Sequence, residues 1–332
     1  MNLQAICVAN FTGFILIAFL LISRAITKAK SQAQDHAFNL MMYLVIIACL
    51  IEPLTFYVDG KPGKLSYWIN VLGGTYLYFA NGLGSFLFCV YVDIKLYGYS
   101  SRIRRIYYKF GAVVACILLS LIINIWGGYY FYVDADNVYH RQPLIYIFYI
   151  YMIFCCVFSI FVTYGHRHRH GKTAFFPIFM YLVPIVSGSV IQMLWYGTSL
   201  AWLGTAIGIV ALYMSFLNQK SYLDPLTGLY NRLFLEHAMY EEKRNSGTAC
   251  YGIMFDMNFF KEINDTYGHS AGDNALCDAA EIMKTMVDNR CTVFRYAGDE
   301  FIILMKTNKE KDVSDLEEKI RERTSAFNEN VG

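Results

Sequence analysis

The sequence predicts an all-α seven-helix transmembrane bundle over residues 1–217, followed by a smaller α/β (α+β) domain over residues 224–332. The first observation is composition: 56% of the 332 residues are hydrophobic and 16% are charged, against roughly 45–50% and 25% in a soluble domain. The second is charge: residues 1–220 carry 15 Lys and Arg against 6 Asp and Glu, whereas residues 221–332 carry 13 against 20. These observations exclude a single soluble enzyme and a disordered chain.

Seven segments are apolar and long enough for a helix that crosses a bilayer, which takes about 20 residues. They lie at residues 5–23, 38–57, 67–92, 110–133, 143–164, 174–196 and 199–217. No basic residue precedes the first segment, and Arg24, Lys28 and Lys30 follow it. A cleaved signal peptide has a basic start, so we interpret this segment as a retained span.

The loops between these segments predict the orientation. Loops 24–37, 93–109 and 165–173 hold three, five and three basic residues, whereas the alternate loops hold two, one and none. Because basic loops stay on the cytoplasmic side, we expect an integral protein of the cell inner (plasma) membrane. Its N-terminus would be outside and its C-terminal domain in the cytoplasm. Tryptophan favours the membrane interface, and each Trp falls near a predicted outer end: Trp68, Trp126, Trp195 and Trp202.

Three polar residues within the predicted spans are candidates for a sensor pocket: Glu52, Asn124 and Gln192. In the predicted topology they lie in the outer half of the bundle, where they could bind a small polar ligand. Ionisable groups inside a membrane are costly and are functional candidates for that reason. The alternative is that these side chains only hydrogen-bond neighbouring helices to one another.

The soluble part alternates helical and strand patterns after a short linker at residues 218–223. Asp224 followed by Pro225 predicts a helix start, and Asn231 can cap the helix that follows. The remaining segments are then predicted from periodicity and turn residues. We expect helices at 232–245, 258–266, 273–287 and 313–327, and strands at 251–256, 292–296 and 301–305.

Three carboxylates should meet at one end of the predicted sheet. Asp256 ends one strand, and Asp299 and Glu300 lie in the turn between the next two. Clustered carboxylates need compensation, and Mg²⁺ typically takes one or two carboxylates together with substrate phosphates. The pattern therefore favours a metal-assisted phosphate site. The sequence shows no Walker loop and no Gly-rich dinucleotide turn.

Three motifs resemble those of the GGDEF family, the diguanylate cyclases. They are the segments Asp224–Arg232 (DPLTGLYNR), Asp256–Leu276 and Arg295–Phe301 (RYAGDEF), and the resemblance covers about residues 222–327. It implies a nucleotide-cyclase-like palm that condenses two GTP into cyclic di-GMP and pyrophosphate. It also implies a homodimer in which each domain presents one GTP to the other, and it implies no nucleic-acid partner.

The resemblance also implies roles for individual residues. Asp256, Asp299 and the Met257 carbonyl match the ligands of two Mg²⁺ ions per active site, which Mn²⁺ could replace. Glu300 matches the acid associated with the metal and with activating the attacking hydroxyl, so Glu300 and Asp299 are the expected catalytic residues. The substrate-binding positions are those that contact guanine and a phosphate: Asn264, Asp273 and Lys261.

The sequence departs from the family pattern at several positions. Ala297 replaces the first signature glycine, and Asn258 replaces a frequent Asp. The product-inhibition motif Arg-x-x-Asp would fall at Asp288 and Cys291, so we expect no such site. The family's last strand and its phosphate-binding helix have no match before Gly332, so the domain is expected to be incomplete at its C-terminus.

The alternative function is a non-catalytic receptor that binds GTP or a partner. We also expect two further partners: the lipid bilayer, and a small-molecule or membrane signal that the sequence does not identify.

Overall fold

The computed structural model describes residues 3–26, 33–97, 101–170, 178–195, 198–244 and 249–331. The chain divides into two compact units, Met1–Ser215 and Phe216–Gly332. Part of the orientation argument rests on Lys28, Lys30 and Lys172, which lie outside the described residues.

The N-terminal unit is helical. Its helices are α1 (Leu3–Ile26), α2 (Ala33–Val58), α3 (Lys64–Tyr97), α4 (Ser101–Gly127), α5 (Tyr146–His170), α6 (Ile178–Leu194) and α7 (Ala201–Ser221). Six stretches of the described helices are long and apolar enough to cross a membrane, and the apolar helix α6 is shorter at 17 residues. Among the described residues, a helix therefore occupies most of each of the seven predicted segments.

The predicted segment 110–133 is wrong at its end. α4 stops at Gly127, and residues 131–133 form the short strand β1 (Phe131–Val133), which pairs antiparallel with β2 (Tyr139–Arg141). Gly128 has φ +62°, a left-handed conformation that interrupts a helix. A hydropathy window cannot distinguish the apolar residues of this strand from a continuing helix.

α6 and α7 approach each other closely because two glycines face the α6 backbone. A Cβ atom on Gly204 would lie 2.3 Å from the Pro184 carbonyl oxygen, and one on Gly208 would lie 2.7 Å from that of Tyr181. This small-xxx-small spacing is typical of tightly packed helices in apolar surroundings. Two residues before Gly204, Trp202 is only 7% exposed, so its ring packs inside the N-terminal unit near the start of α7.

The C-terminal unit contains a four-stranded mixed sheet. Its strands are β3 (Tyr230–Asn231), β4 (Cys250–Asp256), β5 (Cys291–Ala297) and β6 (Glu300–Lys306), in the spatial order β3-β5-β6-β4. β3 is parallel to β5, and the other pairs are antiparallel. The helices are α8 (Arg232–Arg244), α9 (Phe260–Tyr267), α10 (His269–Met286) and α11 (Glu310–Val331).

One face of this sheet carries the core. Ile253, Phe301 and Ile303 pack there against Leu276 of α10 and Ile320 of α11. Because side chains alternate along a strand, the residues between them face the opposite side, where Met254 is 56% exposed. The predicted strands and long helices are confirmed, although α10 begins at His269 rather than 273 and α11 runs from Glu310 to Val331 rather than 313–327.

Two predictions near the start of this unit are wrong. Asp224 and Pro225 do not begin a helix, because the chain makes one turn, closed by a 2.9 Å hydrogen bond from the Gly228 amide to the Asp224 carbonyl. Gly228 then adopts φ +65° and ends the turn. Of the predicted linker, residues 218–221 belong to α7. The sequence also gave no signal for the two-residue strand β3.

We predict that Gly204→Ala destabilises the protein by about 1–3 kcal/mol, because the new methyl group would push α6 from α7. Gly84→Ala is the matched control, since a Cβ there meets no atom within 4 Å. Thermal unfolding of the detergent-solubilised chain measures both. Equal melting temperatures for the two variants would contradict the close approach of α6 and α7.

Candidate functional site

Two carboxylates meet where β4 ends. In the antiparallel register, Asp256 of β4 is directly opposite Glu300 of β6. Directly opposed residues have Cα atoms about 4.5–5.5 Å apart and side chains on the same face of the sheet. By strand alternation this is the face away from the core. Asp256 is exposed and Glu300 is half-buried, so both carboxylates can reach a ligand from solvent.

The turn between β5 and β6 brings a third carboxylate to the same end. Ala297 pairs with Glu300, a register irregularity accommodates Tyr296, and Gly298 has φ +42°. Asp299 therefore lies in the turn, next in sequence to Glu300. A Cβ on Gly298 would meet no atom within 4 Å, so the conformation of the turn, not crowding, favours glycine here.

Arg295 fixes this turn from within β5. Its Nε donates a hydrogen bond to the Gly298 carbonyl oxygen at 2.9 Å, and its Nη1 donates to Asp224 Oδ1 and Oδ2 at 3.0 and 3.2 Å. The side chains of this ion pair are only 15% and 16% exposed. Asp224 is thereby linked through Arg295 to the turn that carries Asp299.

Asp224 is itself held as an anion. Burial alone would raise its pKa, but hydrogen bonds from the amide and hydroxyl of Thr227 and the contact with Arg295 outweigh burial and lower the pKa. The ordinary value is about 3.9. The stabilisation by this carboxylate is therefore present above pH ~4 and is lost as the pH falls through the lower folded-state pKa.

The corner between α9 and α10 brings the two predicted guanine-contacting residues together. Gly268, with φ +84°, separates the helices, and its amide donates to the Asn264 carbonyl at 2.9 Å. The Asn264 side chain lies against Gly272, where a Cβ would be 2.2 Å from Asn264 Oδ1. A side chain at position 272 would therefore displace the Asn264 amide from this place. Asp273, the next residue in α10, is exposed beside it.

The other predicted site residues lie close in sequence to the end of β4. Met257 directly follows this strand, and its side chain packs against the core, which fixes the backbone that carries its carbonyl group. Lys261 is exposed in the first turn of α9. Between them Phe259 adopts φ +59°. A non-glycine residue in this conformation is a form of local strain that clusters at functional sites.

The opposed carboxylates fit a magnesium ion that is also held by a substrate. Mg²⁺ usually binds one or two carboxylates and takes its remaining ligands from phosphate and water, and Asp256 and Glu300 offer that donor set. Within the described part of the chain, no three His, Cys, Asp or Glu side chains form a metal-binding group. The arrangement thus suits a metal shared with phosphate better than a cage made by the protein alone.

Comparison with known proteins identifies the C-terminal unit. Residues 221–331 match the family model described as diguanylate cyclase, GGDEF domain. The C-terminal unit is a GGDEF domain. Diguanylate cyclase DosC of Escherichia coli strain K12 is 38% identical over 104 residues, which are 30% of this chain and 23% of that protein. Diguanylate cyclase A of Treponema denticola is 36% identical over 108 residues, 32% of this chain and 28% of that protein.

Solved structures resemble the same part of the chain. A sensory box/GGDEF family protein from Caulobacter crescentus CB15 is 32% identical, covers 30% of this chain and 67% of that chain, and has a TM-score of 0.28. The chain spans about a quarter of the length of the curated relatives it matches. The family assignment rests on the sequence matches and applies to the GGDEF domain.

In this GGDEF domain, ion pairs form at the position where the family has its product-inhibition motif. Asp288 pairs with Arg290 at 2.9 Å, and Arg290 also reaches Asp312 of α11 at 2.8 Å. The hydrogen bond from Arg290 lowers the pKa of the Asp288 carboxyl. Cys291 begins β5. An acid and a thiol thus stand where the family motif has Arg and Asp.

Only two of the three candidate sensor residues come together. Gln192 Nε2 donates to Glu52 Oε1 at 3.0 Å, and both residues line one cavity in the N-terminal unit. Asn124 instead fixes the turn after α4. Its side chain accepts from the Tyr130 amide at 2.7 Å and donates to the Phe131 carbonyl oxygen at 3.2 Å. Asn124 is therefore removed from the candidate pocket, whereas Asn10 and Ser199 join Glu52.

Sequence reasoning missed the residues that act through others. Asp224 was interpreted as a helix cap, although it binds Arg295 more than 70 positions away. Arg295 lies in the motif Arg295–Phe301, and its type and position in a strand predict no particular partner. Ser199 lies just before α7 and carries no pattern that would connect it with Glu52. Such partners are set by tertiary packing, and the one sequence signal for the pairing of Asp224 with Arg295 is that each lies in a GGDEF-like motif.

We predict that Asp224→Asn destabilises the GGDEF domain by about 1–3 kcal/mol, because Arg295 would keep a buried charge with a weaker partner. Glu236→Gln is the control, since it breaks the Arg232 ion pair, whose side chains are 61% and 60% exposed, and should cost no more than about 0.5 kcal/mol. Hydrogen exchange of the β5 and β6 amides in the full chain measures both. Unchanged protection in Asp224→Asn would contradict the role given to Arg295.

Proposed function

We propose that this protein is a membrane-bound diguanylate cyclase that condenses two GTP into cyclic di-GMP with release of pyrophosphate. The observation that carries the proposal is the opposition of Asp256 and Glu300, with Asp299 in the adjoining turn. The match to GGDEF domains and the diguanylate cyclases among the relatives support the same reaction.

The proposed reaction takes place between two GGDEF domains of a homodimer. The 3′-hydroxyl oxygen of one GTP forms a bond to the α-phosphorus of the other, and the bond from that phosphorus to the pyrophosphate oxygen breaks. A second, reciprocal transfer closes the ring. Glu300 would accept the proton of the attacking hydroxyl, and Lys261 would contact a phosphate. Bound Mg²⁺, held by Asp256, Asp299, Glu300 and the Met257 carbonyl, would neutralise phosphate charge and lower the hydroxyl pKa.

Guanine recognition is assigned to Asn264 and Asp273. A carboxylate accepts hydrogen bonds from the N–H groups on the Watson–Crick edge of guanine, and an amide can both donate and accept. The Asn264 side chain lies against Gly272, the residue that directly precedes Asp273 in α10. This arrangement would select guanine over adenine, which lacks the same donor and acceptor pattern.

The N-terminal unit is proposed as the membrane-spanning regulator. Six helical stretches long and apolar enough to span support an integral membrane protein, and α6 would be the seventh span. The basic loops favour a topology in which the N-terminus is outside and the GGDEF domain is in the cytoplasm. The cytoplasm is the side of the membrane where GTP is available. Control of the cyclase by a signal at the N-terminal unit is part of the proposal.

We predict that the purified chain makes cyclic di-GMP from GTP and Mg²⁺, and that Glu300→Gln lowers kcat by about 10²-fold or more, since it removes the proposed proton acceptor. The matched control is Glu310→Gln, at an exposed acid that begins α11. Product is measured by chromatography after incubation with GTP. No product from the wild-type chain would favour the receptor alternative, and equal rates for wild type and Glu300→Gln would refute the assigned role.

We predict that Asp273→Asn raises the KM for GTP by roughly 10–100-fold, because a charged hydrogen bond contributes about 1.5–3 kcal/mol. The loss should be smaller for ITP, which lacks the exocyclic amino group of guanine. Asp278→Asn, an exposed acid in the same helix, should leave both KM values unchanged. An equal loss for GTP and ITP would place Asp273 away from that amino group.

We predict that cyclic di-GMP does not inhibit the initial rate, because Asp288 and Cys291 lack the charges of the family's product-inhibition motif. The measurement is the initial rate with cyclic di-GMP titrated at fixed GTP. Strong noncompetitive inhibition would overturn this prediction.

A further inference from the structure

The N-terminal unit contains a partly open cavity of about 140 Å³ that the proposed reaction does not use. A cavity of roughly 150 Å³ holds a molecule the size of benzene, so this one suits a ligand of about six to eight non-hydrogen atoms. Its ionisable lining consists of Glu52, Asp59 and Arg141, together with tyrosine hydroxyls. The cavity therefore presents polar chemistry rather than only an apolar surface.

Glu52 is the most enclosed charged group in this lining, at 3% exposure. Its Oε2 accepts from Asn10 Nδ2 at 3.0 Å and from the Ser199 hydroxyl, and its Oε1 accepts from Gln192 Nε2 at 3.0 Å. Gln192 is itself fixed, because its Oε1 accepts from the amides of Leu200 and Ala201 at 3.1 and 2.9 Å. The carboxylate is thus held in one orientation by three neutral side chains from α1, α6 and the segment before α7.

These three donors leave the cluster short of positive charge. Two carboxylate oxygens offer about four acceptor positions, and burying a carboxylate among neutral groups is costly without a cation. All three hydrogen-bond donors to Glu52 are neutral, Arg141 of the same lining is the cation that acts on it electrostatically, and among the described residues the buried Asn10 Oδ1 has no hydrogen-bond partner. An ammonium group in the cavity would bring a full positive charge and three donors to Glu52.

The walls of the cavity also suit an organic cation. Tyr78, Phe148, Tyr149 and Trp202 all line it, and aromatic faces attract ammonium groups within about 6 Å. The Tyr78 hydroxyl forms a 2.9 Å hydrogen bond with that of Tyr139, and the Tyr78 ring packs against Phe148 at 5.6 Å. These contacts fix the aromatic surface before any ligand binds.

Arg141 gives the cavity a second, positive end. It belongs to β2 and is exposed overall, and it hydrogen-bonds the Tyr139 side chain. A guanidinium carries five N–H donors, so Arg141 can also bind a carboxylate. Asp59 is already engaged, since its Oδ1 accepts from the Tyr139 amide at 2.9 Å. Glu52 and Arg141 thus offer complementary charges to the two ends of an amino acid.

We propose that this cavity binds a small organic ammonium compound, an amine or an amino acid, with its ammonium group on Glu52. The proposal concerns the N-terminal unit alone and stands independently of whether the GGDEF domain turns over GTP. An amino acid would place its carboxylate on Arg141, whereas a simple amine would leave Arg141 unused.

The test uses three probes with one carbon skeleton: valine, isobutylamine, which lacks the carboxylate, and isovalerate, which lacks the ammonium group. Thermal unfolding and calorimetric titration of the full chain in detergent measure binding. We expect valine or isobutylamine at 10 mM to raise the melting temperature by roughly 3 °C or more, and isovalerate to have no effect. If the ligand is an amino acid, Arg141→Gln should weaken the binding of valine but not that of isobutylamine. If the ligand is a simple amine, Arg141→Gln should change the binding of neither probe.

Two variants connect binding to the cavity. Glu52→Gln should abolish the effect of both amines, because it removes the negative charge. If Glu52→Gln does not fold, Thr205→Leu gives the same information, because Thr205 lines the cavity and its hydroxyl donates to the Ala201 carbonyl oxygen of its own helix. Thr163→Leu is its control, as Thr163 makes the same kind of intrahelical bond on α5 outside this lining.

Three results would overturn the proposal. The first is the absence of binding by both amines up to 10 mM. The second is an equal effect of isovalerate. The third is amine binding that survives Glu52→Gln or Thr205→Leu. If the wild-type protein binds neither amine and Glu52→Gln lowers the melting temperature, then Glu52 serves only to hydrogen-bond neighbouring helices to one another.

Discussion

The antiparallel register between β4 and β6 is the constraint on which the candidate active site depends. It sets Asp256 opposite Glu300, and a shift of one residue would send one carboxylate to the core face of the sheet. The register is fixed by the core residues that alternate with the carboxylates. Ile253 on β4 is opposite Ile303 on β6, and both are buried. The apolar face of the sheet therefore positions the polar chemistry on the other face.

A second level of positioning comes from contacts far apart in sequence. Arg295 joins the signature turn to Asp224, and Lys284 of α10 donates at 2.9 Å to the Thr227 carbonyl oxygen in the turn that Asp224 begins. The opening motif of the GGDEF domain therefore acts as structural support for the turn that carries Asp299. Gly272 has a similar role, because the absence of a side chain there leaves room for Asn264.

Periodicity and composition predicted most of the elements because burial follows local pattern. The strand ending at Asp256 and the hairpin around Gly298 were recognisable from short apolar runs and turn residues, and the charge split separated the two units. Features set by tertiary contacts were not recognisable. The turn at Asp224 depends on Arg295, the strand β3 has only two residues, and Asn124 fixes the hairpin that replaces the expected end of the fourth span. Glu52 and Gln192 were predicted as candidates, but the partners Asn10 and Ser199 were not.

The carboxylates of the two units thus lie in different surroundings. In the GGDEF domain, the carboxylates lie at a solvent-accessible edge, where a metal and phosphates can reach them. In the N-terminal unit, Glu52 is enclosed and is held by neutral donors. We propose that Asp256 and Glu300 form one site with the phosphates of GTP. Binding of Mn²⁺, followed by electron paramagnetic resonance with and without the non-reacting analogue 3′-deoxy-GTP, tests it most directly. We expect the analogue to strengthen Mn²⁺ binding at least tenfold in the wild-type protein and to have no such effect in Asp256→Asn or Glu300→Gln. Equal strengthening in all three proteins would contradict the claim.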